Sequence, residues 1–316
     1  MPTAVSLFTG CGGSDAGLIA AGFDVLMAND ILPYARDVYL ANHPETDYRL
    51  ANVETIEHFP AADLLVGCYP CQGFSQGGAR DADRRINYLY LQFARALNQI
   101  QPRAFIVENV SGMRSSTYKH LLDDQLAQFS AAGTHGYNVT YALLNAQDFG
   151  VPQERKRILI VGIRGDIGQW YEFPEPSHGI DRDQPFVNIR DAIADLPHWP
   201  TGEFCDDPFH WYYLSRNRRR DWTETSKTIV SHMRHMPLHP LSPPLERIHT
   251  DAWRFSHNGP ARRFSFREAA RLQGFHGDMV FPENERANLR MKFRVVGNAV
   301  PPPLFQAVAE ALPDIW

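Results

Sequence analysis

Cys71 lies in the stretch Gly67-Cys68-Tyr69-Pro70-Cys71-Gln72-Gly73-Phe74-Ser75, directly after the apolar run Leu64-Leu65-Val66. A thiol in a Pro-containing turn just past a buried strand stands where open α/β sheets place their ligands and chemistry. Cys71 has three readings: half of a Cys-x-x-Cys redox or metal pair with Cys68, an inert buried thiol, or a lone nucleophile. A structural zinc needs two more Cys or His ligands at short spacing, and none are near in the chain. A thioredoxin-like pair opens a helix directly, whereas Gln72 to Gly78 reads as loop. The nucleophile reading leads. It gains support from Glu108, which comes after the apolar run Phe105-Ile106-Val107 and would emerge at the same sheet edge. An apolar setting favours the protonated carboxyl, which can then serve as a proton donor. Gln153-Glu154-Arg155-Lys156-Arg157 leads into the run Ile158 to Ile163. Alternation puts Arg155 and Arg157 on one face, where two guanidiniums could hold a carbonyl oxygen and a phosphate. A plain basic start to a strand is the alternative.

A second chemistry-bearing stretch stands near the N-terminus. Phe8-Thr9-Gly10-Cys11-Gly12-Gly13 comes after an apolar run and precedes a segment, Asp15 to Ala21, that can be helical. Glycines at such a junction let backbone approach a ligand closely, and the helix start offers free amides. Asp30, at the end of the next apolar run, is where a carboxylate can accept from ribose hydroxyls. The spacing suits an adenosyl or dinucleotide ligand; a tight turn with a helix-capping acid is the plainer reading.

The elements that must position these residues are legible up to about Gly165. Apolar runs at Ala4 to Phe8, Asp24 to Ala28, Asp63 to Gly67, Ala104 to Val107, Asn138 to Leu144 and Arg157 to Ile163 alternate with helix-length segments, Tyr88 to Ile100 and Tyr118 to Ala132 among them. That alternation predicts an α/β fold with a doubly wound, mostly parallel sheet. Beyond it the chain turns Pro-rich and basic, the texture of a second, smaller and irregular domain. Regular structure returns with helical patterns at Phe266 to Leu272 and Leu304 to Leu312, the latter expected to pack back on the first domain. The expected division is 1–167 plus 286–316 for the first domain and 168–285 for the second.

The chain of 316 residues carries a net charge of −5, yet between His210 and Leu272 eleven Arg and one Lys face five acids. A basic segment in an acidic protein predicts a polyanion partner on one face. Arg218-Arg219-Arg220 among Trp211, Tyr212, Tyr213 and Trp222 mixes phosphate-seeking cations with stacking rings; a solvated helix face with core aromatics is the alternative. Four scattered cysteines argue against a disulfide scaffold. No apolar run approaches membrane-spanning length and no secretory signal pattern opens the chain, so a cytoplasmic location is expected.

Taken together, the residues resemble the DNA (cytosine-5) methyltransferases of bacterial restriction-modification type. Phe8 to Gly13, Gly67 to Ser75, Glu108-Asn109-Val110, Gln153 to Arg157, Arg263 to Phe275 and Gly297-Asn298-Ala299-Val300-Pro301 occur in the family's order. The match covers nearly the whole chain outside about Gly168 to Asn258. It implies a Rossmann-like methyltransferase fold using S-adenosyl-L-methionine, with Phe8 against the adenine and Asp30 on the ribose. Gly10, Gly12, Gly13, Ile31, Asn52, Val53, Pro70, Leu89, Asn298 and Val300 would line the pocket. It implies Cys71 as nucleophile at C6 of a flipped-out cytosine and Glu108 at ring N3. Arg155 and Arg157 would hold the base carbonyl and nearby phosphates, Gln72 and Ser75 would touch DNA, and Asn109 would support the Pro70-Cys71 turn. Double-stranded DNA is the implied partner, acting on a monomeric enzyme that needs no metal or membrane and is nucleoid-associated through DNA, with a cognate restriction endonuclease working independently.

Two positions depart from the family's pattern. Asn52 stands where an acid usually contacts the adenine amino group, and Ile31 where an aromatic often covers the ring. Cofactor affinity is the property these changes touch. The stretch Tyr213 to Trp222, with Ser226 to Val230 and Leu238-His239-Pro240, is similar to the recognition domain of methylases with short palindromic GC-rich targets, GGCC above all. Arg reads guanine bidentately, which makes Arg216, Arg218 and Arg234 the candidates for base edges, most of the other arginines being left to phosphates, while Arg263 to Phe275 resembles the helix that braces the recognition region. A DNA-binding homologue without chemistry and a tRNA cytosine-5 methyltransferase are the competing readings.

Overall fold

The computed structural model describes residues 1–70 and 85–316, and it divides into two compact units. The first comprises Met1–Asn145, Lys156–Glu175 and Leu304–Trp316, the second Ala146–Arg155 and Pro176–Pro303.

The first unit opens with β1 (Thr3–Leu7), α1 (Gly13–Ala20), β2 (Asp24–Asp30), α2 (Pro33–Asn42) and β3 (Asp47–Leu50). It continues with β4 (Leu64–Gly67), α3 (Tyr90–Ile100), β5 (Ala104–Val110), α4 (Lys119–Ser130), β6 (Tyr137–Asn145) and β7 (Lys156–Arg164). One seven-stranded sheet results, in the order β3-β2-β1-β4-β5-β7-β6. The first five are parallel, and β7 inserts antiparallel to both β5 and β6. Winding reverses between β1 and β4, which makes their carboxyl ends the topological switch point. Central parallel strands are covered on both faces, so they read as unbroken apolar runs: Ala4, Val5 and Leu7 of β1, and Leu64, Leu65 and Val66 of β4, are fully buried.

Two helix boundaries have local causes. Pro33 sits in the first turn of α2, where the missing N–H costs nothing. Gln101 closes α3 in the left-handed conformation (φ 48°) with Pro102 behind it, which stops the helix. Helix α3 buries Tyr90, Phe93, Ala94, Ala96 and Leu97. Phe93 meets Phe105 and Phe129 edge-on at ring-centre distances of 5.8 and 5.3 Å. Gly67 is required beneath it, since a Cβ there would stand 2.4 Å from the Phe93 ring.

The second unit is built of short pieces: α5 (Ile189–Ile193), α6 (Trp211–Leu214), the hairpin β8 (Leu245–His249) and β9 (Ala252–Phe255), α7 (Phe266–Leu272) and α8 (Leu289–Asn298). Helices α5 and α7 each start with a capping box, Asn188 with Asp191 and Ser265 with Glu268. Helix α8 packs on α7, which is why 286–303 groups with this unit and not with the first. The last helix, α9 (Pro302–Glu310), passes from Leu304 onward into the first unit. There Tyr171 donates to the Val308 carbonyl at 2.7 Å, and Arg103 to the Ile315 carbonyl at 2.6 Å. No helix among the described residues is long and apolar enough to cross a membrane.

Phe93→Ala removes the ring shared by α3, β5 and α4. It should cost about 3–5 kcal/mol of stability, read as a lower urea midpoint monitored by the near-ultraviolet signal of the aromatic core.

Candidate active site and recognition segment

The site begins with strand register. Leu7 is paired with Gly67, and Gly67 with Val107, so Phe8 and Cys68 leave the sheet beside Glu108, which is still within β5. Cys68 N–H donates to the Leu7 carbonyl at 3.1 Å and carries that alignment one residue past the sheet. Cys71, Gln72 and Ser75 lie outside the described residues, but the chain leading to Cys71 is described as far as Pro70, which is half-buried. Tyr69 is buried, donates its hydroxyl to Gln125 Oε1 of α4 at 2.6 Å, and sets its ring edge-on to Phe8 at 5.9 Å. The approach to Cys71 is therefore tied to α4 on one side and to Phe8 on the other.

Cys68 has a different character from a nucleophile. Burial pushes its thiol well up, the Glu108 charge adds to this, and hydrogen bonds from the Ser14 side chain and the Glu108 backbone oppose it only in part. Such a thiol stays protonated and inert. Glu108, 8 % exposed, holds a partner that spacing did not assign to it: Arg157 Nε lies 2.6 Å from its Oε1. The apolar strand end expected for Glu108 is thus an ion pair. Burial pulls the Arg157 guanidinium down from its usual value while the Glu108 charge and hydrogen bond pull it up.

The turn after β1 is held in left-handed conformations at Phe8 (φ 60°), Gly10 (φ 59°) and Gly12 (φ 92°). Phe8 is the costly one, because only glycine adopts this region freely. At Gly12 the absent Cβ matters as well, since it would meet the Tyr39 ring at 2.9 Å; Gly10 instead faces open space. Gly13 starts α1 and is buried. Asp30 accepts Gly10 N–H at 3.0 Å through one oxygen and Leu32 N–H at 2.9 Å through the other. Tyr48 donates to the Gly10 carbonyl at 3.2 Å. Beneath the turn the fully buried Asp15 accepts four hydroxyl bonds, from Ser6, Thr9, Ser14 and Tyr39. Spacing alone gave Asp15 no role; the signal was the cluster of hydroxyl residues around it.

Of the remaining pocket candidates, Ile31 is 62 % exposed, whereas Val53 is buried. Asn52 spends its side-chain carbonyl on Glu54 N–H at 3.1 Å, capping a 3-10 turn, and its amide reaches Glu54 Oε2 at 3.3 Å. Arg95 fixes that turn by donating to the Val53 and Ile56 carbonyls, each at 2.9 Å. Leu89 caps α3 and is half-buried. Asn109 is buried and accepts the Val110 N–H at 2.8 Å.

Arg155 parts company with Arg157. In the second unit its guanidinium donates to three backbone carbonyls, Ile229 at 2.9 Å, Gly297 at 3.1 Å and Ala299 at 3.0 Å. The expected pairing of the two arginines on one ligand is corrected accordingly: one holds a carboxylate, the other braces backbone. Gln153 and Gln273 extend the brace, joined to each other at 2.6 Å, with Gln273 also donating to the Ala299 carbonyl at 2.6 Å. Together they pin the loop that carries exposed Asn298 and buried Val300. Gly297 is required there, since a Cβ would stand 2.2 Å from the Val230 backbone.

In the recognition segment the arginines divide by partner. Arg216 donates to the Tyr212 hydroxyl at 2.7 Å and lies over its ring at 5.0 Å. Arg218 donates to the His235 carbonyl at 2.9 Å, and Arg234 is hydrogen-bonded to Asp207. Arg219, Arg262 and Arg263 are braces, their donors spent on backbone carbonyls and carboxylates. Arg219 holds the Ser242 and Pro240 carbonyls. Arg263 holds those of Arg234, Cys205 and Asp207 beneath the Phe209 and Tyr213 rings. Arg262, fully buried, makes a two-bond pair with Glu268 at 2.7 and 2.6 Å. Glu268 also lies 3.4 Å from His239 Nε2, while Leu241 N–H donates to His239 Nδ1. The ring is therefore the neutral Nε2–H tautomer. Burial, then the charges of Arg262 and His198, pull its pKa down to about 3.

These buried charges make two outcomes measurable. Arg157→Met strands the Glu108 carboxylate and should cost about 3–5 kcal/mol, with most of it regained in the double variant Glu108→Gln/Arg157→Met; urea unfolding of the three proteins reads both. For His239 the folded pKa lies below the unfolded value, so the unfolded state binds the extra proton. Its contribution is complete above about pH 6.5 and is lost as pH falls towards 3. The stability difference between the wild type and His239→Gln should shrink across that window.

Residues 3–314 match the family described as C-5 cytosine-specific DNA methylase. The chain is 35% identical over 345 residues to the Type II methyltransferase M.BsuRI of Bacillus subtilis, covering 98% of this chain and 78% of that one. It is 34% identical over 329 residues to M.NgoPII of Neisseria gonorrhoeae, covering 98% and 94%. The fold is similar to that of a DNA modification methyltransferase encoded within an E. coli prophage (TM-score 0.73, 20% identity, 98% of each chain). The S. pombe Dnmt2 methyltransferase gives a TM-score of 0.67 at 18% identity, over 98% of this chain and 96% of its own. With nearly its whole length matched, this chain belongs to the C-5 cytosine-specific DNA methylases and is a DNA (cytosine-5) methyltransferase.

Proposed function

We propose that this enzyme methylates C5 of a flipped-out cytosine in a short, palindromic GC-rich duplex site, with S-adenosyl-L-methionine as donor and Cys71 as the attacking thiolate. The observation that carries the reading is the register that brings Phe8, Cys68 and the Glu108–Arg157 pair to one sheet edge, with Cys71 three residues beyond Cys68. The donor fits the residues present: a bare, left-handed glycine turn facing open space at Gly10, the Asp30 carboxylate beside that turn at the end of β2, and apolar Phe8 and Ile31 for an adenine ring. Val53, Pro70, Leu89, Asn298 and Val300 complete the proposed pocket. Asn52 already caps its own turn, so its hold on an adenine amino group is weak. When bound, the donor supplies an electrophilic methyl group on a sulfonium.

Cytosine C5 is a poor nucleophile until a thiolate adds at C6. The Cys71 Sγ–C6 bond forms as the C5–C6 π electrons are pushed onto C5, and a proton or hydrogen bond at N3 lowers the barrier to that addition. Glu108 is the group proposed for N3: its carboxylate must first take up a proton from solvent, because only the protonated carboxyl can donate to N3, and Arg157, which orients that carboxyl, is proposed to lie beside the same pyrimidine edge. C5 then takes the methyl group, a base removes the C5 proton, and its electron pair restores the ring double bond as Sγ leaves. Arg155 holds the Asn298–Val300 loop within the second unit. Extruding the base costs a few kcal/mol, offset by contacts from Gln72 and Ser75 and by the basic segment. Arg216, Arg218 and Arg234 are the proposed readers of guanine, and GGCC is the first site to test. The relatives' Type II names support a restriction-modification role with a separately acting endonuclease.

Labelled S-adenosyl-L-methionine should transfer label to GGCC duplex, with tRNA as the comparison acceptor. Duplex carrying 5-fluorocytosine should trap the wild type covalently, and Cys71→Ser should abolish the trap on a denaturing gel. Persistence of the adduct in that variant would move the nucleophile elsewhere.

A further inference from the structure

Asp15 carries a buried charge that the proposed reaction leaves unused. Its carboxylate is fully buried at the base of the glycine turn. Oδ1 accepts from Ser6 Oγ at 2.6 Å and Ser14 Oγ at 2.9 Å; Oδ2 accepts from Thr9 Oγ1 at 2.7 Å and the Tyr39 hydroxyl at 2.9 Å. These donors come from β1, from the turn, from α1 and from α2. Each hydroxyl has one proton to give, and an ionised carboxylate offers about four acceptor positions. Two donors on each oxygen is the pattern of a carboxylate kept charged. All four partners are neutral, so the charge is satisfied by hydrogen bonds without being cancelled. An anion buried in this way is costly, and an uncancelled one projects its field over its surroundings. That field is felt by the neighbouring side chains: Tyr39 is pushed up first by burial and next by the Asp15 charge, while at Tyr48 and Cys11 burial and the Asp30 charge, and at Cys68 burial and the Glu108 charge, come before the smaller push from Asp15.

The charge lies under the residues proposed to hold the methyl donor, since Thr9, one of its four ligands, stands between Phe8 and Gly10. In methyl transfer the S–CH3 bond breaks, its electron pair stays on sulfur, and a cationic sulfonium becomes a neutral thioether. We propose that Asp15 is the counter-charge for that sulfonium: its field raises affinity for the cationic donor relative to the neutral thioether product. The hydroxyl ring is then the device that keeps an uncancelled anion in place. Residue and ring act without touching the ligand, and the inference rests on S-adenosyl-L-methionine being the donor.

The test is calorimetric binding of S-adenosyl-L-methionine and S-adenosyl-L-homocysteine to the full chain, read as the ratio of the two Kd values. Asp15→Asn, nearly isosteric but neutral, should shift that ratio towards the thioether by about three-fold or more. Tyr39→Phe, which removes a donor but keeps the charge, should weaken both ligands and leave the ratio unchanged. Equal weakening of both ligands by Asp15→Asn overturns the proposal and leaves Asp15 as a lock on the turn. Should that variant fail to fold, the wild type decides by salt. A buried charge is poorly screened, so the ratio should hold between about 0.1 and 1 M salt, and a ratio that collapses assigns the effect to exposed acids instead. If neither ligand binds the wild type, the cofactor reading fails, and this inference fails with it.

Discussion

The parallel register of β4 between β1 and β5 is the constraint on which the rest of the site depends. Leu7, Gly67 and Val107 are level with one another, so β1 and β4 end together beside Glu108 of β5, and the residues at that level form one site. A slip of one residue in β4 would turn Leu65 out of the core and Cys68 away from Phe8 and Glu108, because strand side chains alternate. The register is itself locked by packing. Gly67 leaves room for the Phe93 ring, and Phe93 joins Phe105 and Phe129 in the aromatic core. Core packing and site geometry are thus one problem solved once, and a loss at Phe93 is felt at the strand end as well as in stability.

Three buried carboxylates show three ways of keeping an anion out of water. Glu108 takes a guanidinium, which also orients it. Glu268 takes a two-bond guanidinium, a helix N-terminal amide and a neutral histidine, and so ties α7 to the recognition segment. Asp15 takes hydroxyls alone. Only the last leaves its charge uncancelled. The difference matters because a paired charge organises what touches it, whereas an unpaired one acts at a distance.

The sheet was legible in the sequence where it is buried and illegible where it is not. Runs such as Leu64-Leu65-Val66 can be little else than central strands, but β3, Asp-Tyr-Arg-Leu, is a short edge strand with one buried residue and carries no such signal. Helix α7 was legible to the residue, because Ser265 and Glu268 form a capping box in front of it. The glycine turn, Cys71 and Glu108 stood out by residue type at strand ends. Their partners did not. Alternation placed Arg155 and Arg157 together, yet β7 starts at Lys156, so the period of two does not extend back to Arg155. Arg262 and Arg263 belong to the basic segment by composition, yet cation-π contacts and backbone carbonyls hold them inside. Such pairings join residues far apart in the chain, which no local pattern encodes.

The same division bears on how the recognition segment works. Arg219, Arg262 and Arg263 spend their donors on the segment's own backbone and on Glu268, so its irregular, Pro-rich course is fixed before any ligand arrives. Preorganisation of this kind reduces the ordering cost of binding. Arg216 and Arg234 are held differently, by an exposed tyrosine and by Asp207, on the outside of that frame. Exposed pairs are worth little, so a guanine edge or a phosphate can displace them at small cost. A rigid internal set of arginines and an exchangeable outer set are therefore parts of one design. The first fixes the frame that carries the second, and the second, if it reads bases as proposed, has only weak partners to give up.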